Sequence, residues 1–131
     1  MLLDSYAWIE YFAGSELGGR VKGYMANSTS PTIVLAEVSR KYAREGFREN
    51  EIRRRLMFIA SRSILKEITV DIALEAAKAY KDLAQKAKKQ RLRSPSLADA
   101  IVLATARTEG VKVVTGDEHF KGLGEAEYIG D

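Results

Sequence analysis

The chain contains no cysteine and a single histidine, His119. The first absence excludes disulfides, thiolate zinc sites and cysteine nucleophiles. The second excludes an acid/base nuclease that works through two histidines. A Ser-His-Asp triad would have to use His119, and no Gly-x-Ser-x-Gly elbow accompanies it. No apolar run approaches the length of a membrane span. No basic region precedes the strand-like opening Met1-Leu2-Leu3-Asp4, so no signal peptide is expected and the cytoplasm is the expected compartment. Internal repeats, low-complexity tracts and linkers are missing too.

What is present suits one domain. A chain of 131 residues with 46% apolar content can bury a real core. Net charge is +3, from 21 basic and 18 acidic residues, which is compatible with a polyanionic partner without demanding one. Arg53-Arg54-Arg55 and the run from Lys86 to Arg93 concentrate the basic charge. Such runs either track phosphates or form a solvated helix face.

Local patterns predict strands at Leu2 to Asp4, Thr32 to Val34, Ile64 to Thr69, Lys112 to Thr115 and Glu127 to Ile129. Helices are predicted over Ser5 to Ala13, Leu35 to Glu45, Asn50 to Ser61, Asp71 to Lys89 and Ser96 to Thr108. A shorter one is expected from Arg20 to Met25. The long helix carries the stripe Ile72, Ala76, Ala79, Tyr80, Leu83 and Ala87. The first helix has Tyr6, Trp8, Ile9, Tyr11 and Phe12, too apolar to stand in water without cover from the core, a second subunit or a partner. Alternation of strands and helices predicts an α/β fold with a parallel sheet and helices on both faces.

Four acids stand out against this framework: Asp4, Glu37, Asp99 and Asp117. Asp4, Glu37 and Asp117 follow predicted strands, on the edge where open α/β sheets place their sites. Asp99 lies in an otherwise apolar helix. Each has an ordinary explanation. Asp4 suits a helix N-cap, Glu37 an i,i+4 pair with Lys41, and Asp117 a turn after Gly116. Ser96 and Asp99 match a capping box. These are separate coincidences, whereas a metal site accounts for all four together. Two carboxylates about 4 Å apart repel by roughly 4 kcal/mol at an effective dielectric near 20. Several in one place need a cation or must take up protons. Oxygen donors without thiolate or imidazole select Mg²⁺ or Mn²⁺ over zinc. Ser5 and Thr115 adjoin the acids, where their hydroxyls either support the carboxylates or serve as ordinary strand-end residues.

Four segments, in order, resemble the PIN-domain ribonucleases and, within them, the VapC-type toxins of toxin–antitoxin pairs. They are Leu2-Leu3-Asp4-Ser5-Tyr6-Ala7-Trp8-Ile9-Glu10-Tyr11-Phe12, Val34-Leu35-Ala36-Glu37-Val38, Ser96-Leu97-Ala98-Asp99-Ala100-Ile101 and Thr115-Gly116-Asp117-Glu118-His119-Phe120. The likeness spans nearly all of residues 1–131. It implies a single domain with a five-stranded parallel sheet and Mg²⁺- or Mn²⁺-dependent endonucleolytic cleavage of RNA. The acid quartet would be Asp4, Glu37, Asp99 and Asp117, with Asp4 and Asp99 as the foremost ligands. The products would carry 5′-phosphate and 3′-hydroxyl ends. A homodimer and a cognate antitoxin are implied as well. Position 5 is Ser where many relatives carry Thr or Asn. Arg91 and Arg93, then Arg40, Lys41 and Arg44, are the basic residues expected to hold the RNA backbone.

Two rival readings belong to other classes. A non-catalytic RNA-binding or partner-binding module on the same fold would not need an intact quartet. A receiver domain would want an acid pair after the first strand, and Asp4 has no acidic neighbour.

Overall fold

The computed structural model describes residues 1–130. Five strands form one wholly parallel sheet in the order β3-β2-β1-β4-β5. They are β1 (Leu2–Leu3), β2 (Thr29–Pro31), β3 (Ile64–Lys66), β4 (Val113–Thr115) and β5 (Ala126–Tyr128). The connecting helices are α1 (Ser5–Ala13), α2 (Glu16–Lys22), α3 (Thr32–Arg44), α4 (Glu49–Arg62), α5 (Val70–Lys89) and α6 (Leu97–Glu109). A short 3-10 turn, Glu118–Phe120, follows β4. The five-stranded α/β architecture expected from the sequence is the one found.

The chain leaves β1 towards β2 and β3, then returns to place β4 on the other side of β1. Strand order therefore switches between β1 and β4. A crevice opens beyond the carboxyl ends of strands at such a point. Leu2 and Leu3 pair with Val113 and Val114, and all four are fully buried. That register brings the residues just after β1 and β4 together.

The second strand differs from expectation. The β-branched run Thr32 to Val34 opens α3, and the strand is the polar stretch before it. Tertiary context decides this. Ser30 is fully buried yet satisfied, since its Oγ accepts from Trp8 Nε1 at 2.9 Å and lies 2.8 Å from the Ser63 hydroxyl. A strand whose interior face is serine carries no apolar alternation to read. Glu37 consequently sits in the second turn of α3, not at a strand exit.

Other boundaries shift for local reasons. α2 begins at Glu16, ahead of the expected Arg20, because Ser15 caps it by accepting from the Gly18 N–H at 3.0 Å. A side chain at Gly18 would overlap the Glu10 carbonyl of α1, so the glycine permits close packing of the two helices. β3 ends at Lys66, and Thr69 caps α5. Within α5, Ile72, Ala76, Ala79, Leu83 and Ala87 are buried, while Tyr80 stays 38% exposed. α6 buries every residue from Ala100 to Ala106.

The apolar first helix finds its cover inside the chain. Trp8 is fully buried. Tyr11 stacks on Phe58 of α4 with centroids 5.6 Å apart, and Phe12 lies 5.9 Å from the same ring. Arg55 closes the cluster with its guanidinium 4.4 Å from the Tyr42 ring centroid. These rings by themselves no longer call for a second subunit.

Candidate active site

Asp4 leaves β1 directly into α1. Its Oδ1 accepts from the Ala7 N–H at 2.9 Å, so it is an N-cap. It is also only 5% exposed. The β1–β4 register sets Thr115 beside it, and the Thr115 hydroxyl bonds the Asp4 carboxylate. The same oxygen accepts from the Asp117 N–H at 3.0 Å. One hydroxyl thus links the acids that follow the two central strands.

The exit of β4 is held tightly. A Cβ on Gly116 would overlap the Tyr6 ring, and the Tyr128 hydroxyl donates to the Gly116 carbonyl at 3.1 Å. Asp117 caps the following turn, its Oδ1 accepting from the His119 N–H at 2.9 Å. Asp99 does make a capping box: Ser96 N–H donates to its Oδ2 at 2.9 Å, and Ser96 Oγ accepts from Asp99 N–H at 3.1 Å. The cap and the site are not alternatives, because the first turn of α6 points the same carboxylate towards Asp117. Glu37 receives a hydrogen bond from the Ser5 hydroxyl.

The four acids share one electrostatic environment. Burial pushes Asp4 up to about 7; bonds from Thr115 and Ala7 oppose the rise, and the charges of Asp117 and Glu37 add to it. Burial also raises Glu37, helped by Asp99 and Asp117 and opposed by Ser5 and Arg40. Burial raises Asp99, opposed by its Ser96 bonds and aided by Asp117. No described lysine or arginine forms an ion pair with any of the four. Buried carboxylates without a counter-charge are costly. An all-oxygen, anionic cup of this kind fits a divalent cation such as Mg²⁺ or Mn²⁺.

His119 is the site residue that the sequence reading passed over. Among the described residues, Asp99, Asp117 and His119 each offer a ligand atom within 4.8 Å of the others. The imidazole is nevertheless already engaged. Nδ1 lies 3.0 Å from Asp117 Oδ1 and Nε2 lies 2.8 Å from the Arg93 carbonyl oxygen. With both nitrogens taken, it buttresses the acids and anchors the loop ahead of α6; it is not a free ligand. Burial opposes its charge, but the Arg93 carbonyl and Asp117 outweigh this and raise its pKa. The signal in the sequence was local: the only histidine stands two residues after the last acid.

A cleft of about 360 Å³ covers three of the acids, lined by Glu37, Arg40, Arg93, Ser94, Ser96, Asp99, Asp117 and His119, while the buried Asp4 does not line it. Arg40 and Arg93 are therefore brought to the acids. Lys41 lines a neighbouring cleft that shares Asp117, and its Nζ pairs with Glu45 at 2.7 Å. Arg44 and Arg91 are exposed and line neither cleft. Arg91 has φ +56 at the end of α5, where Leu92 N–H bonds back to the Ala87 carbonyl at 2.8 Å. Glycine normally occupies this left-handed position. Arg91→Gly should stabilise the protein by about 0.5–1 kcal/mol in a urea melt. A loss of stability instead would show that the arginine side chain is held by contacts worth more than the backbone strain.

Residues 1–126 match the family model of the PIN domain. No curated protein matches the chain. Several solved structures are similar to it. One is a toxin–antitoxin complex from Klebsiella pneumoniae, at 24% identity and TM-score 0.71, covering 95% of this chain and 93% of that one. Another is VapC20 of Mycobacterium tuberculosis, described as a sarcin–ricin loop cleaving toxin, at 20% identity and TM-score 0.67, with 96% of each chain covered. A third is DNA-bound VapBC from Salmonella typhimurium, at 20% identity and TM-score 0.65, covering 95% of this chain and 92% of that one. With the match to the family model running through 126 of 131 residues, the chain belongs to the PIN domain family.

Proposed function

We propose that this protein is a divalent-metal-dependent endoribonuclease and the toxin of a toxin–antitoxin pair. One observation carries the reading: carboxylates from the β1 exit, α3, α6 and the β4 exit feel one another's charge, and no described lysine or arginine forms an ion pair with any of them. The family supports it, as do the similar chains seen in toxin–antitoxin complexes. That VapC20 is described as cleaving the sarcin–ricin loop supports RNA as the substrate class.

Asp4 and Asp99 would be the principal ligands of Mg²⁺ or Mn²⁺, with Glu37 and Asp117 completing the set. A divalent ion in this cup supplies the Lewis acidity that hydrolysis of a phosphodiester requires. The chain's own residues do the rest. Thr115 fixes Asp4 relative to Asp117, Ser5 holds Glu37, and the capping box fixes the rotamer of Asp99. His119 holds Asp117 and the Arg93 loop together. Arg40 and Arg93 in the cleft wall, and Lys41 beside it, draw in the phosphate backbone. Single-stranded or looped RNA suits a recessed cup, because its backbone bends into it. An antitoxin would block this cup. Homodimerisation and a cytoplasmic location belong to the same reading; no described helix is long and apolar enough to cross a membrane.

The purified protein should cut single-stranded RNA in Mn²⁺ or Mg²⁺ and stop when EDTA is added. RNA that is bound but left intact under both conditions would make the protein a binding module instead.

A further inference from the structure

A second cleft of about 300 Å³ adjoins the acids, lined by Ser5, Tyr6, Ile9, Glu10, Lys41 and Asp117. Asp117 forms part of both clefts, so the two meet at the acids. Tyr6, Ile9 and Glu10 fall at i, i+3 and i+4 of α1 and share one helix face. We propose that this second cleft receives the base of a nucleotide flanking the cleaved phosphate, and that Glu10 selects guanine. The inference rests on the endoribonuclease reading of the acidic cup.

The chemistry of the lining points to a base rather than to more backbone. Tyr6 and Ile9 offer an aromatic and an aliphatic wall, which suits an unstacked base. The volume lies at the small end of ligand sites. Glu10 is not a loose surface acid. Its Oε2 accepts from the Ser15 hydroxyl at 2.6 Å, and Ser15 is itself fixed as the cap of α2. A carboxylate accepts only, and each oxygen has room for more than one donor. Guanine presents two adjacent donors on its Watson–Crick edge, N1–H and the 2-amino group, which match a carboxylate. Adenine and cytosine present one amino group there. Uracil flanks its single N–H with two carbonyls that a carboxylate repels. Lys41 of α3 also lines the cleft; its Nζ, paired with Glu45 at 2.7 Å, would have to leave that partner to meet a phosphate.

Two measurements separate this inference from the nuclease reading. In the first, guanosine and uridine 5′-monophosphates are titrated against the protein and followed by NMR. Guanosine monophosphate should bind about ten-fold tighter, and Glu10→Gln should level the two. In the second, cleavage sites are mapped on random single-stranded RNA with Mn²⁺. They should fall beside guanosine, replacing that guanosine by inosine should slow cleavage about ten-fold, and Glu10→Gln should spread the sites over all bases. Should Glu10→Gln fail to fold, Ile9→Phe, which narrows the same cleft, should weaken guanosine monophosphate binding. Equal binding of both nucleotides to the wild type overturns the base pocket whether or not RNA is cut. An unchanged cleavage pattern in Glu10→Gln overturns it too. Tight guanosine monophosphate binding with no RNA cleavage would keep the pocket and sink the nuclease.

Discussion

Replacing Asp4 by Asn should lower RNA cleavage by about 1,000-fold or more and, in the metal-free protein, raise the melting temperature above neutral pH. Both effects come from one carboxylate. Asparagine keeps an oxygen for the Ala7 N–H, so the cap on α1 survives. What it removes is a buried charge that bears on Asp117 and Glu37. The Asp4 pKa rises from 3.8 to about 7, a shift of about 3 units, or ~4 kcal/mol against the ionised form. Wild type carries that penalty above neutral pH and the variant does not. Below about pH 4 the carboxyl is protonated in both folded and unfolded chains, and the two proteins should converge. Asp4→Ala also relieves the charge but gives up the cap, so its gain should be about 1 kcal/mol smaller. A melting temperature for Asp4→Asn below wild type at about pH 8 would mean that the ionised carboxylate stabilises the metal-free fold, and the metal reading would fall. Asp99→Asn should likewise fold, because an amide oxygen still accepts from Ser96 N–H, and should lose cleavage.

The metal-free protein itself should lose stability as the solution is brought from about pH 4 to about pH 7, then level off. The sign follows from the directions of the shifts. Asp4, Glu37 and Asp99 all have raised folded-state pKa values, mainly through burial. Between their ordinary and folded values, the folded chain binds more protons than the unfolded one, so raising the pH favours unfolding. His119 adds in the same sense. Burial opposes its charge, its acceptors prevail, and the stability it lends is lost as pH climbs through its raised value. Asp4 alone accounts for ~4 kcal/mol, enough to lower the melting temperature by about 15 °C. Mn²⁺ should reverse the loss, by about 3 kcal/mol at a hundred times its dissociation constant, and most strongly at high pH where protons do not compete. Stability that rises across this window, or a melting curve indifferent to Mn²⁺, would contradict a carboxylate cup built for a cation.

Much of this was readable from local patterns. The apolar Leu2-Leu3 ahead of Asp4, the buried face of α5 and the capped, alanine-rich α6 each announce themselves by burial period or cap chemistry. Strand β2 did not, because its interior is filled by serines whose partners, Trp8 and Ser63, are distant along the chain. The same blindness hid the roles of Gly18 and Gly116, which make room for a backbone carbonyl and a tyrosine ring contributed by α1. It also divided the basic residues. Arg40 and Arg93 reach the cleft, whereas Arg44 and Arg91, equally basic and close in sequence, do not.

Residue order by itself determined the alternation of elements, the absence of thiol chemistry and the four candidate acids, since periodicity, caps and composition act over a few residues. Only the tertiary structure decided that the acids meet. That convergence follows from the parallel register of β1 with β4, from the switch in strand order beside them, and from the packing of α3 and α6 around that edge. A carboxylate's pKa answers to which charges and how much water lie within a few ångströms, and those neighbours are set by folding, not by sequence distance.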